Sequence, residues 1–157
     1  WANQKVIEKR LAVFDDFAPL LNDVVCYFTY VGGWKELTPP EVVKLKRRLD
    51  RIAYVNAPLF PRGFLAHYNT FMNECYATYS GWGQSARLRT LTGRRREAED
   101  ESWNPAWDDC FTEEDKASEP DAVRKAYGEF MSYLADVLGI HAQSDYLGTG
   151  RVPDDVA

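Results

Sequence analysis

The sequence is poor in the residue types that most often catalyse reactions or hold metals. Its 157 residues include three cysteines and two histidines, and none lies in the CxxC, HxxxH or HExxH spacing typical of zinc sites. The GxSxG, GxxxxGKS/T and GxGxxG patterns of nucleophile elbows and phosphate-binding loops are also absent. We therefore predict no metal, no cofactor and no catalytic residue.

Long apolar runs and alternating apolar patterns are missing as well. A membrane-spanning helix needs about 20 apolar residues, and no segment of this sequence supplies them. A half-buried strand needs an apolar residue at every second position, and no segment sustains that alternation. The cysteines, Cys26, Cys75 and Cys110, are odd in number and far apart, which indicates reduced thiols in a cytosolic setting.

The composition is otherwise that of a globular protein. Hydrophobic residues make up 45% of the chain and charged residues 27%, and a chain of this size can bury roughly 70% of its unfolded surface. We predict one domain over residues 1–140 and a loosely ordered tail over 141–157, where glycine and proline interrupt any periodicity. The net charge of -5 argues against binding to double-stranded nucleic acid.

A long amphipathic helix over residues 4–31 is the predicted organising element. Its apolar residues form two adjacent rows, a face wide enough for the central helix of a bundle, and we expect later helices to cover it. Pro19 is expected to bend this helix, and Gly32 and Gly33 are expected to end it. The rows are Ile7, Leu11, Phe14, Ala18, Leu21, Val25 and Phe28, and Val13, Phe17, Leu20, Val24, Tyr27 and Val31.

The pattern predicts three more main helices and one short helix. The second follows Thr38, a predicted N-cap that forms a capping box with Glu41. The third covers about 61–79, and the last runs from Pro120 to Gly139. Asn104 and Pro105 begin a short helix. The predicted inner face of the second helix contains Val42, Leu45, Leu49, Ile52 and Val55.

The predicted fold class is therefore all-α, a bundle of four main helices with a long first helix, one short extra helix and a long charged loop. This loop covers residues 84–104, where five arginines are followed by an acidic run and few residues are apolar. Such a composition indicates an exposed loop or a partly disordered segment. Loops of this length are usually functional or mobile.

Two groups of cations form the predicted contact surface, one on the outer face of the second helix and one in the segment 81–96. Arginine suits bidentate contact with phosphate, and tryptophan can stack on a base. The candidate partners are a small anionic ligand such as a nucleotide and an anionic membrane surface. The alternative is that these cations only pair with nearby acidic residues. The predicted binding residues are Lys44, Arg47, Arg48, Arg51, Trp82, Arg87, Arg89, Arg94, Arg95 and Arg96.

The start of the chain suggests a membrane anchor. Trp1 is followed by Lys5, Lys9 and Arg10, and an interfacial tryptophan followed by positive charge flanks the cytoplasmic end of membrane helices. We hypothesise that a transmembrane helix precedes Trp1. A removed tag or ordinary trimming of a domain is the alternative.

Three segments carry a family resemblance: EKRLAVFDDFAPLLNDVVCYFTYVGGWKELTPPE, RRLDRIAYVNAPLF and GWGQSARLRT. They resemble small uncharacterised bacterial proteins that have one N-terminal transmembrane helix and a cytosolic helical domain. The resemblance covers residues 3–111. It implies membrane tethering and a place on the cytoplasmic side, and it implies no activity and no functional residue.

The leading hypothesis is a non-enzymatic cytosolic sensor or interaction domain of a membrane-tethered protein. The alternative is a receptor domain that binds a small anionic ligand and gates a membrane effector. A third class is a hydrolase or transferase that uses Asp108, Asp109 or His67. A homo-oligomer stays open as well, because the first helix has enough apolar width for both a bundle and a partner.

Overall fold

The fold is all-α, as predicted. The computed structural model describes residues 2–78 and 86–140, so the predicted tail lies outside the described residues. The helices and strands are α1 (Ala2–Thr29), α2 (Pro39–Asn56), α3 (Phe64–Cys75), β1 (Tyr76–Ala77), β2 (Arg87–Leu88), α4 (Thr92–Glu99) and α5 (Pro120–Val137). Single 3-10 turns occur at Trp34–Glu36, Ala57–Leu59, Asp100–Ser102 and Glu114–Lys116, and a longer 3-10 helix covers Pro105–Cys110.

The four long helices share one hydrophobic core. α3 packs along α5, and α1 contacts both α2 and α5. At the centre of the core, the ring centroid of Phe17 in α1 lies 5.7 Å from that of Tyr68 in α3 and 6.1 Å from that of Phe130 in α5. Tilted and edge-on ring pairs of this kind stabilise a core beyond the burial of their area.

Only the second half of the apolar face of α1 is buried. The fully buried positions begin at Phe17, whereas Leu11 is 38% exposed and Ile7 and Phe14 are only half-buried. The expectation that later helices cover the whole face is therefore wrong. α1 has 28 residues and α2 and α5 have 18 each, so α1 is longer by about 15 Å at about 1.5 Å per residue.

The end of α1 is made by a tyrosine rather than by the predicted glycines. Tyr30 adopts the left-handed conformation with φ 58°, and the amide of Val31 donates to the carbonyl of Cys26 at 3.1 Å. This closure usually has glycine at the left-handed position, because a side chain there is strained. Gly32 and Gly33 follow only after the helix has ended.

α2 begins after Thr38 as predicted, but the predicted capping box does not form. The carbonyl of Thr38 accepts from the amide of Val42 at 3.1 Å, and the side chain of Thr38 makes no capping hydrogen bond. Val42 and Leu49 face the core, whereas Val55 is 69% exposed. The inward placement of Val55 is wrong because Ala53, four residues after Leu49, occupies the buried position of that turn.

α3 ends at Cys75 rather than near residue 79, because the chain continues into an extended segment. β1 pairs with β2 in antiparallel fashion, with Tyr76 opposite Leu88 and Ala77 opposite Arg87. The prediction that the chain forms no strand is therefore wrong. Two-residue strands are too short to produce an alternating pattern in the sequence.

The charged segment is structured where the structure describes it, from residue 86 to 104. It contains β2 and α4, and its buried residues are Leu88, Thr90 and Arg95. The prediction of an exposed or disordered loop is therefore wrong for this part. Charge composition was misleading because one of the arginines is a buried residue.

The predicted short helix after Asn104 is confirmed, in 3-10 form. The side-chain oxygen of Asn104 accepts from the amide of Ala106 at 3.0 Å, and Pro105 occupies the first position. Phe111 is buried at the end of this helix and forms a β-bridge with Leu88. In the ranges 2–78 and 86–140, no helix combines the length and the apolar character that a membrane crossing requires.

Candidate functional site

The guanidinium of Arg95 is buried against three aromatic rings from the end of α1 and the turn that follows. Its Cζ lies 3.8 Å from the ring centroid of Tyr27, 4.0 Å from that of Tyr30 and 5.2 Å from that of Trp34. Only 1% of Arg95 is exposed. Each desolvated cation–π contact is worth about 2 kcal/mol. We call the rings of Tyr27, Tyr30 and Trp34 the aromatic cage.

Arg95 also caps the C-terminal end of α1. Its Nη2 donates to the carbonyl of Tyr27 at 2.5 Å and to the hydroxyl of Thr90 at 3.2 Å. Carbonyls in the last turn of a helix lack partners within the helix and carry partial negative charge. A cation at this position therefore satisfies a main-chain acceptor and complements the helix dipole.

No carboxylate of the described residues neutralises the charge of Arg95. Within the two described ranges no ion pair involves Arg95, and its Nη1 is buried without a hydrogen-bond partner. Burial lowers the pKa of the Arg95 side chain, because desolvation disfavours the charged form. Burying an ion costs several kcal/mol even after the structure relaxes, so the cost and the cation–π gain are of similar size.

The neighbours of Arg95 also attach α4 to the body of the protein. The Cζ of Arg94 lies 4.0 Å from the ring centroid of Tyr30, and Nη2 of Arg96 lies 2.8 Å from a carboxylate oxygen of Asp108. The hydrogen bond from Arg96, together with one from the Trp103 indole, lowers the pKa of Asp108. The pair is exposed, so we assign it little stability.

Tyr30 combines backbone strain with several side-chain contacts. It is one of two residues other than glycine with positive φ in the described ranges. Its ring contacts both Arg94 and Arg95, and its hydroxyl lies 3.1 Å from the hydroxyl of Thr90. A strained residue with this many side-chain contacts is a candidate functional position.

The remaining predicted residues of the charged segment have other environments. Nε of Arg89 donates to the carbonyl of Lys116 at 2.8 Å, and its Nη1 donates to the carbonyl of Asn73. Arg89 therefore joins β2 to α3 and to the turn before α5. Arg87 is exposed on β2, and Trp82 lies outside the described residues.

The outer face of α2 carries the other predicted cations, all exposed: Lys44, Arg47, Arg48 and Arg51. Across residues 2–78 and 86–140, Lys44, Arg48 and Arg51 form no ion pair. Asp50 does not offset them, because it pairs with Lys46 at 2.7 Å and accepts from the Tyr68 hydroxyl at 2.7 Å. We call Lys44, Arg47, Arg48 and Arg51 the α2 cationic face.

The structure separates the predicted contact surface into two groups. The ring, hydrogen-bond and ion-pair contacts of Arg94, Arg95 and Arg96 reach the end of α1, Thr90, Trp103 and Asp108. In the described part of the chain, none of them reaches the α2 cationic face. The arginines of α4 therefore contact the body of the protein, and Arg95 is buried there, whereas the arginines of α2 are all exposed.

Comparison with protein-family models, curated proteins and solved structures finds no match for this chain.

A small cavity lies beside the aromatic cage. Its volume is about 110 Å³, and its polar lining includes Tyr30, Thr90, Arg94 and Ser118. The hydroxyl oxygen of Ser118 is buried and has no hydrogen-bond partner among the described residues. The carboxylates of Glu114 and Glu119 belong to the same lining. The cavity is far smaller than typical small-molecule sites, which measure about 300–1,000 Å³. The remaining lining residues are Phe28, Leu91, Ala117 and Pro120.

The residues of the third hypothesis lie in separate environments. The ring of His67 packs against that of Tyr133, with centroids 5.0 Å apart. Asp108 bonds with Arg96 and Trp103, and no contact in the described ranges joins His67 to Asp108 or Asp109. Within the same ranges, no group of three metal-ligating side chains occurs.

Sequence reasoning missed the aromatic cage and Thr90. Of the three rings, only that of Tyr27 belongs to the apolar rows that predict the buried face of the first helix. A usable signal was the spacing of tyrosine and tryptophan around Gly32 and Gly33, which brings rings together at a helix end. The partner arginine lies more than 60 residues later, and no local pattern connects the two.

Proposed function

We propose that this chain is a non-enzymatic sensor or interaction domain, tethered to the cytoplasmic face of a membrane by an anchor before Trp1. In this proposal the four long helices form a bundle that serves as scaffold, and the α2 cationic face contacts an anionic membrane surface. The observation that carries the proposal is that Lys44, Arg48 and Arg51 are exposed and form no ion pair within the described residues.

Helical spacing explains why these cations can act together. Residues 44, 47, 48 and 51 are separated by three and four positions, which places their side chains on one side of α2. The opposite side of α2, with Val42, Leu45 and Leu49, is buried in the core. This burial fixes the rotation of the helix, so the cations face outward.

The expected strength of the contact follows from membrane electrostatics. A basic residue near an anionic bilayer contributes about 1 kcal/mol, so the three cations without ion pairs would supply about 3 kcal/mol. This attraction weakens at high salt, because exposed charges are screened over about 8 Å at physiological ionic strength. Such weak binding fits a protein whose main attachment is a tether.

Vesicle binding tests this function. We expect the chain to cosediment with vesicles of phosphatidylserine and phosphatidylcholine, less so at high salt, and not with phosphatidylcholine alone. The variant Lys44→Gln, Arg48→Gln, Arg51→Gln should lose most of this binding. A variant with the same loss of charge elsewhere, Arg62→Gln, Arg124→Gln, Lys125→Gln, is the control and should retain it. Equal loss in both variants would reduce the effect to net charge and refute the α2 contact.

The tether has its own test in the reading frame upstream of Trp1. An apolar run of about 20 residues directly before it would support the anchor. A start codon immediately upstream, without such a run, would refute it.

A receptor for a small anionic ligand is the second candidate, favoured by one observation. Arg94 and Ser118 line the small cavity, and the buried hydroxyl of Ser118 has no hydrogen-bond partner among the described residues. The volume of the cavity suits an anionic group of a few atoms. The negative charges of Glu114 and Glu119 in its lining would repel such a group. In thermal-shift experiments, a ligand at 100 times its Kd should stabilise the fold by about 2.7 kcal/mol. The absence of any shift with phosphate, sulfate and nucleotides would refute this candidate.

A further inference from the structure

The docking of α4 depends on arginines rather than on apolar packing. Of its eight residues, Thr92–Glu99, only Arg95 is buried. Arg94 contacts the ring of Tyr30, and Arg96 pairs with Asp108 at the surface. α4 therefore buries no apolar side chain of its own, and its release would uncover only the rings of the aromatic cage.

The helix itself depends on being docked. Eight residues are too few for a stable isolated helix in water, and Gly93 lowers the helix propensity further. The two residues other than glycine with positive φ in the described ranges, Tyr30 and Asp100, lie in the aromatic cage and at the end of α4. Backbone strain therefore occurs on both sides of this one contact.

The burial of the Arg95 charge opposes the contacts that hold α4 in the docked state. In the docked state Arg95 contacts three rings and the carbonyl of Tyr27, but it loses its hydration. Among the described residues it has no carboxylate partner, and its Nη1 has no hydrogen bond. The contacts of Arg95 favour the docked state, and its desolvation favours the released state. An anionic partner binds only the released arginines. It favours the released state, in which all three guanidinium groups can contact phosphate in bidentate fashion.

We propose that α4 is a releasable autoinhibitory latch, which keeps Arg94 and Arg95 on the aromatic cage until an anionic phospholipid surface competes for them. The proposal rests on the proposed function only in its choice of partner. Release exposes Arg95, because Arg94 and Arg96 are already at the surface. The net gain therefore corresponds to about one basic residue, or about fivefold in vesicle affinity.

The decisive variant is Tyr30→Gly. It removes the ring that contacts both arginines and the hydroxyl that contacts Thr90, and it changes no charge. Glycine suits the left-handed backbone of this position, so the end of α1 is preserved. We expect about fivefold tighter binding to phosphatidylserine vesicles and faster amide hydrogen exchange throughout α4, with the exchange of α5 unchanged.

Two further variants test whether the gain in vesicle binding comes from the released arginines of α4. Tyr54→Leu also removes a tyrosine ring, but from an exposed position on α2, and it should bind vesicles like the unmodified chain. Adding Arg94→Gln and Arg95→Gln to Tyr30→Gly should abolish the gain, because the released cations are then missing. A gain that survives these two changes would overturn the latch.

The outcomes separate this proposal from the proposed function. If Tyr30→Gly binds vesicles no more tightly than the unmodified chain, or if the α4 amides remain as protected as those of α5, the latch is refuted while the α2 contact stands. If removal of the α2 cations leaves binding intact and Tyr30→Gly still increases it, the latch stands and the α2 contact is refuted.

Discussion

Arg95 binds Tyr27 twice, with its guanidinium 3.8 Å from the ring centroid and its Nη2 2.5 Å from the main-chain carbonyl. The two residues are 68 positions apart in the chain. One side chain therefore closes the end of α1 and attaches α4 to it. Stability at this point depends on the planar shape of the guanidinium as well as on its charge.

Substitutions of Arg95 should separate shape from charge. Lysine keeps the charge but loses the flat stacking and the forked donors, so Arg95→Lys should lower the free energy of unfolding by about 2 kcal/mol. Methionine removes both the donors and the buried charge, and Arg95→Met should cost less, about 1 kcal/mol or below. Urea unfolding measures both, with Arg48→Lys on the exposed face of α2 as control. Lysine tolerated better than methionine would contradict this account.

Two glycines should respond oppositely to the same change. Gly63 has φ 102°, and a Cβ there would meet the Tyr133 ring at 3.6 Å, so Gly63→Ala should destabilise the fold by about 1–2 kcal/mol. Gly128 lies inside α5 with no atom within 4 Å of an added Cβ, so Gly128→Ala should stabilise it by about 0.5–1 kcal/mol. Thermal unfolding of both variants checks the signs, and two changes of the same sign would contradict the assignment.

The buried hydroxyl of Tyr68 should matter more than an exposed one. It donates to Asp50 at 2.7 Å, where Lys46 also binds, and the Tyr68 side chain is fully buried. Tyr68→Phe leaves that carboxylate with one donor fewer and should cost about 1–2 kcal/mol in urea unfolding. The control is Tyr54→Phe, because the Tyr54 hydroxyl contacts Asn69 at an exposed site. Equal effects would show that the α2–α3 hydrogen bond is unimportant.

The ion pair between Arg96 and Asp108 should appear in an acid titration. Hydrogen bonds from Arg96 and Trp103 lower the pKa of Asp108 in the folded state. The pair therefore stabilises the fold above the unfolded value of about 3.9, and this contribution disappears as the pH falls through the lower folded value. NMR titration of the Asp108 carboxyl should show its pKa rise in Arg96→Gln but not in Arg94→Gln. An unchanged titration in Arg96→Gln would refute the pairing.

Periodicity predicted the helices because it reports on local geometry. Val42, Leu45 and Leu49 are buried at the three- and four-residue spacing that a helix requires. The same reasoning failed for Ile7 and Leu11, because the extent of a buried face depends on the length of its neighbours. It also failed for β1 and β2, whose two residues each carry no repeat.

One part of the candidate site follows from local sequence patterns, and the other depends on tertiary contacts. The exposed position of Lys44, Arg48 and Arg51 follows from their spacing against the buried stripe, so the sequence by itself determined the α2 cationic face. The burial of Arg95 does not follow from its neighbours, which are all charged or small. Only the tertiary structure decided it, because the rings that desolvate this arginine come from the end of α1 and the turn after it, 61 to 68 positions earlier. A local pattern determines which face of its helix a residue occupies. The tertiary structure determines which side chains contact it there.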